Sequence, residues 1–285
     1  MARKRDLIPA ELLEAALALQ VRILDALLSS RAWRTDEIAF QGGTSLKLAH
    51  GSARFSEGLD FPLAEEMAEN VTQIAESALA RVRETMASDA PEDSITLRAG
   101  RRSGNTLPFT FVRASERFRN SIRVKVDFQL VPKILLKSYQ KELATFALPP
   151  QLRAGVTTML PAATLDSVYA DKILAIGGRP YLKPRDFFDL WWLRTQQGVK
   201  GPSEHGNLVE RIATAAAMYG KTTGDALAGL EKFLRSRDVG EVTGILARDL
   251  PRWLPEAMVK QFNHHNTWRS IAQTLSPTLQ PPRNC

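Results

Sequence analysis

The sequence has one cysteine, Cys285, its last residue, in a proline-rich tail. An internal disulfide is thereby excluded, and a catalytic thiol is disfavoured. Histidine is also scarce, with four in the chain, and the adjacent His264 and His265 lack the Cys or His company of a zinc centre. No apolar run reaches the length of a membrane span. The opening MARKRDLIPAELLEAALALQ has neither an uninterrupted apolar core nor a small-residue cleavage site. A cytoplasmic location with no membrane partner is therefore expected. No internal repeat is visible.

Core material and positive charge are both present. At 285 residues and 44% hydrophobic, the chain can bury a substantial core, as one large or two modest domains. Thirty-eight Lys and Arg against 31 Asp and Glu give a formal charge of +7, with a pI near 9.7. Such an excess suits a nucleic-acid partner, because phosphate contacts release counterions. It supports that partner without requiring it.

The most informative stretch is QGGTSLKLAHGSARFSEGLDF, from Gln41 to Phe61. Its spacing predicts a strand over Ile38, Ala39 and Phe40, a Gly42-Gly43 turn, a short helix opened by Thr44 and Ser45, and a second strand carrying Asp60. Backbone N–H groups and a hydroxyl pair at a helix start favour a phosphate, and the neighbouring strand supplies a carboxylate. Nucleotidyl transfer needs that combination, with Mg²⁺ held by oxygen ligands. Gly-Gly-Thr-Ser alone is equally the chemistry of an ordinary strand-to-helix connection.

Around this stretch, helices are expected over Pro9 to Ser30 and Glu65 to Met86, and strands over Ser94 to Arg98, Leu107 to Arg113 and Ile122 to Leu130. In the last strand Ile122, Val124, Val126 and Phe128 alternate with Arg123, Lys125, Asp127 and Gln129, so Asp127 faces away from the apolar row. It is then either a functional acid or a solvent-facing carboxylate paired with Arg123 or Lys125. The basic cluster Arg3, Lys4, Arg5 reads as solvated terminal charge or as an RNA contact. Beyond Pro132 a mixed connection carries Pro149, Pro150 and Gly155, and a domain boundary is placed near residue 150.

The second informative stretch runs from Thr164 to Leu193. A helix over Leu165 to Ile176 carries Lys172 among apolar neighbours and ends at Gly177 and Gly178. A buried lysine is costly unless it meets a phosphate or carboxylate; the alternative is a side chain that snorkels to the surface. A helix from Pro184 places Asp186 and Asp189 one turn apart, on nearly one face. Acids in a first turn also complement the helix dipole. Further helices are expected over Asn207 to Tyr219, Thr223 to Arg235, Val239 to Asp249, Glu256 to Asn263 and Thr267 to Leu275, with a loose tail. Trp191, Trp192, Trp253 and Trp268 read as packing residues ahead of base-stacking ones.

The two stretches resemble the two signatures of the AbiEii/AbiGii-type nucleotidyltransferase toxins. The first matches at Gly42, Gly43, Thr44, Leu46, Arg54, Phe55, Ser56, Glu57, Leu59, Asp60 and Phe61, and the second at Lys172, Arg185, Asp186 and Asp189. The resemblance implies a polymerase-β-like α/β core over residues 1–150, a mixed sheet with flanking helices, followed by a helical domain over 151–285. It implies transfer of a nucleotide from an NTP to an RNA acceptor, the tRNA 3′ end in some relatives, by a toxin of a type IV abortive-infection pair with a cognate antitoxin. It assigns Mg²⁺, in a one- or two-metal site, to Asp60 and Asp127, makes Lys172 and Asp186 further essential groups, and gives Gly43, Thr44, Ser45, Arg185, Asp189 and Lys172, the last as a triphosphate contact, to the nucleotide. One departure matters: Gly58 stands where the family has the first aspartate of its metal pair. Three explanations stay open. Glu57 substitutes through a bulge at Gly58, the chain is an inactivated form, or it binds nucleotide or RNA without catalysis.

Overall fold

The computed structural model describes residues 4–146, 159–195, 197–199 and 206–274. The chain divides into two compact units. The first is drawn from residues up to Gly51, Phe55–Lys137 and Glu142–Ala162; the second from Ser52–Arg54, Ser138–Lys141 and Ala163 onward.

The first unit is built on a four-stranded mixed sheet in the order β1-β4-β3-β2, with β1 Gly58–Ala64, β2 Asp93–Ala99, β3 Thr106–Ser115 and β4 Ile122–Val131. β2, β3 and β4 form an antiparallel meander, whereas β1 pairs with β4 in parallel. The alternation in β4 is realised: Val124 and Val126 are fully buried, while Arg123 and Lys125 are exposed. Helix α1, Pro9–Ser29, packs on β4 and on α3, Val71–Asp89. Phe61 and Phe128, register partners, stack at 5.6 Å within the core.

One expectation is refined and one revised here. Ile38 to Phe40 is extended as expected and lies antiparallel to β1 in a single register, Ile38 opposite Leu63 and Gln41 opposite Asp60, with the Ala39 N–H donating to the Pro62 carbonyl. Phe40 bridges Ala162 as well. The helix expected from Glu65 begins instead as a 3₁₀ segment, Glu65–Asn70, and becomes α-helical only at Val71. After β4 come α4, Lys133–Ser138, and a two-stranded ribbon of β5, Lys141–Ala144, with β6, Leu160–Ala163. Pro149, Pro150, Gly155, Arg3, Leu275 and the tail lie outside the described residues.

The second unit is helical from Leu165 on: α5 Leu165–Gly177, α6 Pro184–Thr195, α7 Gly206–Met218, α8 Thr223–Arg235, α9 Val239–Asp249, α10 Glu256–His264 and α11 Thr267–Gln273. The bounds follow written caps. The Thr222 hydroxyl accepts from the Asp225 N–H while Asp225 accepts from Thr222, and Asp238 accepts from the N–H groups of Gly240 and Glu241. α5 packs against α6, α7 and α8. Trp191, Phe262 and Trp268 meet edge to face at 5.4 and 5.1 Å, which bears out the packing role of these tryptophans. Among the described residues no helix is long and apolar enough to cross a membrane.

Candidate active site

In the first unit the parallel register sets Asp60 of β1 directly beside Asp127 of β4, and Gly58 beside Lys125. Partners in register share a face, as do alternate residues of one strand, so these four positions form one polar patch on the sheet. The Lys125 ammonium donates to Asp127 Oδ2 at 2.8 Å. The other oxygen, Asp127 Oδ1, is buried and has no hydrogen-bond partner in the chain. Asp60 is backed by Gly42, at the start of α2, Gly42–Leu48. A Cβ on Gly42 would lie 2.5 Å from Asp60 Oδ2, and the backbone there has φ +83°. Only glycine fits that position.

Thr44 and Ser45, both fully buried, play different parts. The Thr44 hydroxyl donates to the Gly58 carbonyl and so ties α2 to β1. Ser45 Oγ is buried without a partner in the chain, and Gly43 is buried beside it. Glu57 is exposed on a bend ahead of β1, and the ladder runs from Gly58 to Ala64 without a bulge. The irregularity that a Glu57 ligand requires is therefore not present. A side chain at position 58 meets resistance as well, since a Cβ there would lie 2.8 Å from the Lys125 carbonyl oxygen.

In the second unit Lys172 of α5 meets two carboxylates of α6, with Nζ 2.8 Å from Asp186 Oδ1 and 2.7 Å from Asp189 Oδ2. Arg54 grips Asp189 with both prongs, Nε to Oδ1 and Nη2 to Oδ2, each at 2.7 Å. Arg179 donates to the second oxygen of Asp186. Arg54 is 2% exposed and Asp189 is 0%. Burial pushes both aspartates up, but the cations outweigh it: Lys172 and Arg179 hold Asp186, and Arg54 and Lys172 hold Asp189, below the usual carboxylate range. Burial likewise lowers Lys172, and Asp186 with Asp189 overturns this and raises it. Lys183 is lowered by burial and by the cations Arg179, Arg185 and Lys172, against the pull of Asp186. Arg185 itself lies 4.2 Å over the Trp253 ring. Asp186 lies in the first turn of α6, where an acid complements the helix dipole, and both aspartates also meet cations.

The family model for AbiEii, the nucleotidyl transferase toxin of a type IV toxin–antitoxin system, matches residues 22–283. The chain belongs to the AbiEii family. AbiEii proteins are nucleotidyltransferase toxins, and that is the activity class of this chain. Among solved structures it is similar to JHP933 from Helicobacter pylori, at 17% identity and TM-score 0.48 over 94% of this chain and 91% of that one. It is also similar to MenT4, a nucleotidyltransferase toxin of Mycobacterium tuberculosis H37Rv, at 15% identity and TM-score 0.47 over 95% of each. No curated protein matches.

A divalent cation at this patch would find two carboxylates, Asp60 and Asp127. Among the described residues no group of three or more His, Cys, Asp or Glu side chains is disposed around an ion. Asp60 and Asp127, with one buried oxygen unpartnered, fit a single Mg²⁺, which commonly uses one or two carboxylates and completes its shell with water and substrate phosphate. Sequence reasoning left Arg54, Lys125 and Arg179 outside the site. Arg54 stood inside the first signature, but nothing local points to a partner 135 positions on.

Proposed function

We propose that this AbiEii nucleotidyltransferase transfers a nucleoside monophosphate from an NTP to an RNA acceptor, the 3′ end of tRNA, with Mg²⁺ held by Asp60 and Asp127. The observation that carries the reading is the register pairing of those two aspartates beside Gly42 and the start of α2. The basic charge of +7 supports a polyanionic acceptor. When bound, Mg²⁺ would supply positive charge to the phosphates of the NTP. The chain's own groups do the rest. Ser45 Oγ and the first N–H groups of α2 contact phosphate, and Asp127 polarises the acceptor 3′ hydroxyl, whose proton passes to solvent as the new bond forms. The new O–P bond forms at the α-phosphate as the bond to pyrophosphate breaks. Gly43 permits close approach, and within the second unit a nucleotide role is proposed for Lys172, which Asp186 and Asp189 hold. A cytoplasmic site of action and a cognate antitoxin complete the proposal.

Gly58 favours a second reading, in which catalysis is weak and nucleotide or RNA binding dominates. The missing carboxylate and the Lys125–Asp127 pair both support it. One experiment separates the two. The purified chain is incubated with total tRNA, Mg²⁺ and each α-labelled NTP in turn, beside Asp60→Asn. Label on RNA that falls to background in Asp60→Asn is the expected result. Unlabelled RNA with retained NTP binding would establish the second reading, and label on protein would reject both.

A further inference from the structure

The polar patch of the first unit holds two like charges in register, an arrangement that costs free energy unless a cation intervenes. The chain provides one. Lys125 shares the patch, and its ammonium sits on Asp127 Oδ2. Its own register partner is Gly58, which has no side chain to offer. An aspartate at 58 would stand directly beside Lys125, its Cβ about as near the Lys125 Cβ as van der Waals contact allows, and would compete for that ammonium. With glycine there, the patch offers two carboxylates, Asp60 and Asp127, and Lys125 offsets part of the charge on Asp127. Two carboxylates, one of them shared with a lysine, suit one divalent ion better than a pair.

We propose that Lys125 is a resident cation of the site, neutralising Asp127 Oδ2 and, together with Gly58, limiting the patch to one divalent ion held through Asp60 and Asp127 Oδ1. This rests on the reading that Asp60 and Asp127 bind metal. Lys125 is thus a positioning residue that sets metal occupancy.

Mn²⁺ binding to the full chain, followed by the electron paramagnetic resonance signal of the free ion, reads this without any turnover. One weak Mn²⁺ per chain is expected for the protein as it stands. Lys125→Met should bind about tenfold more tightly, since one repelling charge is removed. Lys125→Arg, which keeps the charge, should bind as the parent does. The Lys125 side chain is 58% exposed, so these variants should fold, with circular dichroism as the check. Equal affinity in the parent and Lys125→Met, with loss in Asp127→Asn, would overturn the role of Lys125 and leave the metal site standing. Two equivalent ions in the parent would overturn the occupancy limit. If Asp127→Asn and Asp60→Asn leave Mn²⁺ binding unchanged in every background, the metal site itself is misplaced, and the proposal falls with it.

Discussion

Two glycines set the chemistry of the first unit for opposite reasons. Gly42 has φ +83° and leaves no room for a Cβ against Asp60 Oδ2. Gly42→Ala is therefore expected to cost roughly 1–2 kcal/mol in backbone strain alone and to displace the Asp60 carboxylate. Urea unfolding and Mn²⁺ titration should both register it. Gly58 has an ordinary extended backbone, yet a Cβ there would press on the Lys125 carbonyl at 2.8 Å. Gly58→Asp, which supplies the carboxylate that the resemblance puts at this position, is expected to raise nucleotide transfer while lowering the melting temperature, because β1 must shift to admit the side chain. A gain in activity with no loss of stability would show that the strand yields more easily than its geometry suggests. Of these facts, the identity of Asp60 and the anomaly of Gly58 were legible in the residues. That Lys125 is the partner of position 58 was not, because strand register is written in neither strand alone.

At the scale of elements, α5 and α6 are fastened by the Lys172, Asp186 and Asp189 network, with Arg54 closing it. Arg54→Met leaves the Asp189 carboxylate buried with one cation fewer and should destabilise the chain by about 3–5 kcal/mol. Lys172→Met should fall in the same range, and the two losses should not add, since they share Asp189. Chemical denaturation of both single variants and the double variant checks this. The pH dependence has a definite sign. Asp186 and Asp189 are depressed on folding, so their contribution is present above the unfolded carboxylate value of about 3.9 and is lost as pH falls below it. Lys172 is raised, so its share is lost only as pH climbs past about 10.4. The stability gap between the parent and Asp189→Asn should therefore be level near neutrality and shrink on acidification. The helices were largely legible because their caps are spelled out, as at Thr222 and Asp238. The Ile38 to Phe40 run was legible as a buried extended segment. That it lies antiparallel to β1 while Phe40 bridges Ala162 was not, because register is set by the partner strands and not by the run itself.

For the whole molecule, the excess of seven positive charges makes a prediction about solution conditions. If about four phosphates are neutralised on binding, tRNA affinity should drop roughly a hundredfold between about 50 and 200 mM salt. Filter binding across a salt series checks the slope, and a flat response would count against an RNA acceptor. The change from strands to helices was legible in the periodicity. The allocation of Ser52–Arg54 to the second unit was not, since a matched signature shows which residues recur and says nothing of where each side chain is used. That allocation bears on how the protein is made. Arg54 leaves the ribosome 135 residues before Asp189, a wait of roughly ten seconds at ordinary elongation rates. Until then its guanidinium has no carboxylate to meet in that cluster, so a chain cut short anywhere before α6 leaves Arg54 without its buried partner and cannot complete the second unit.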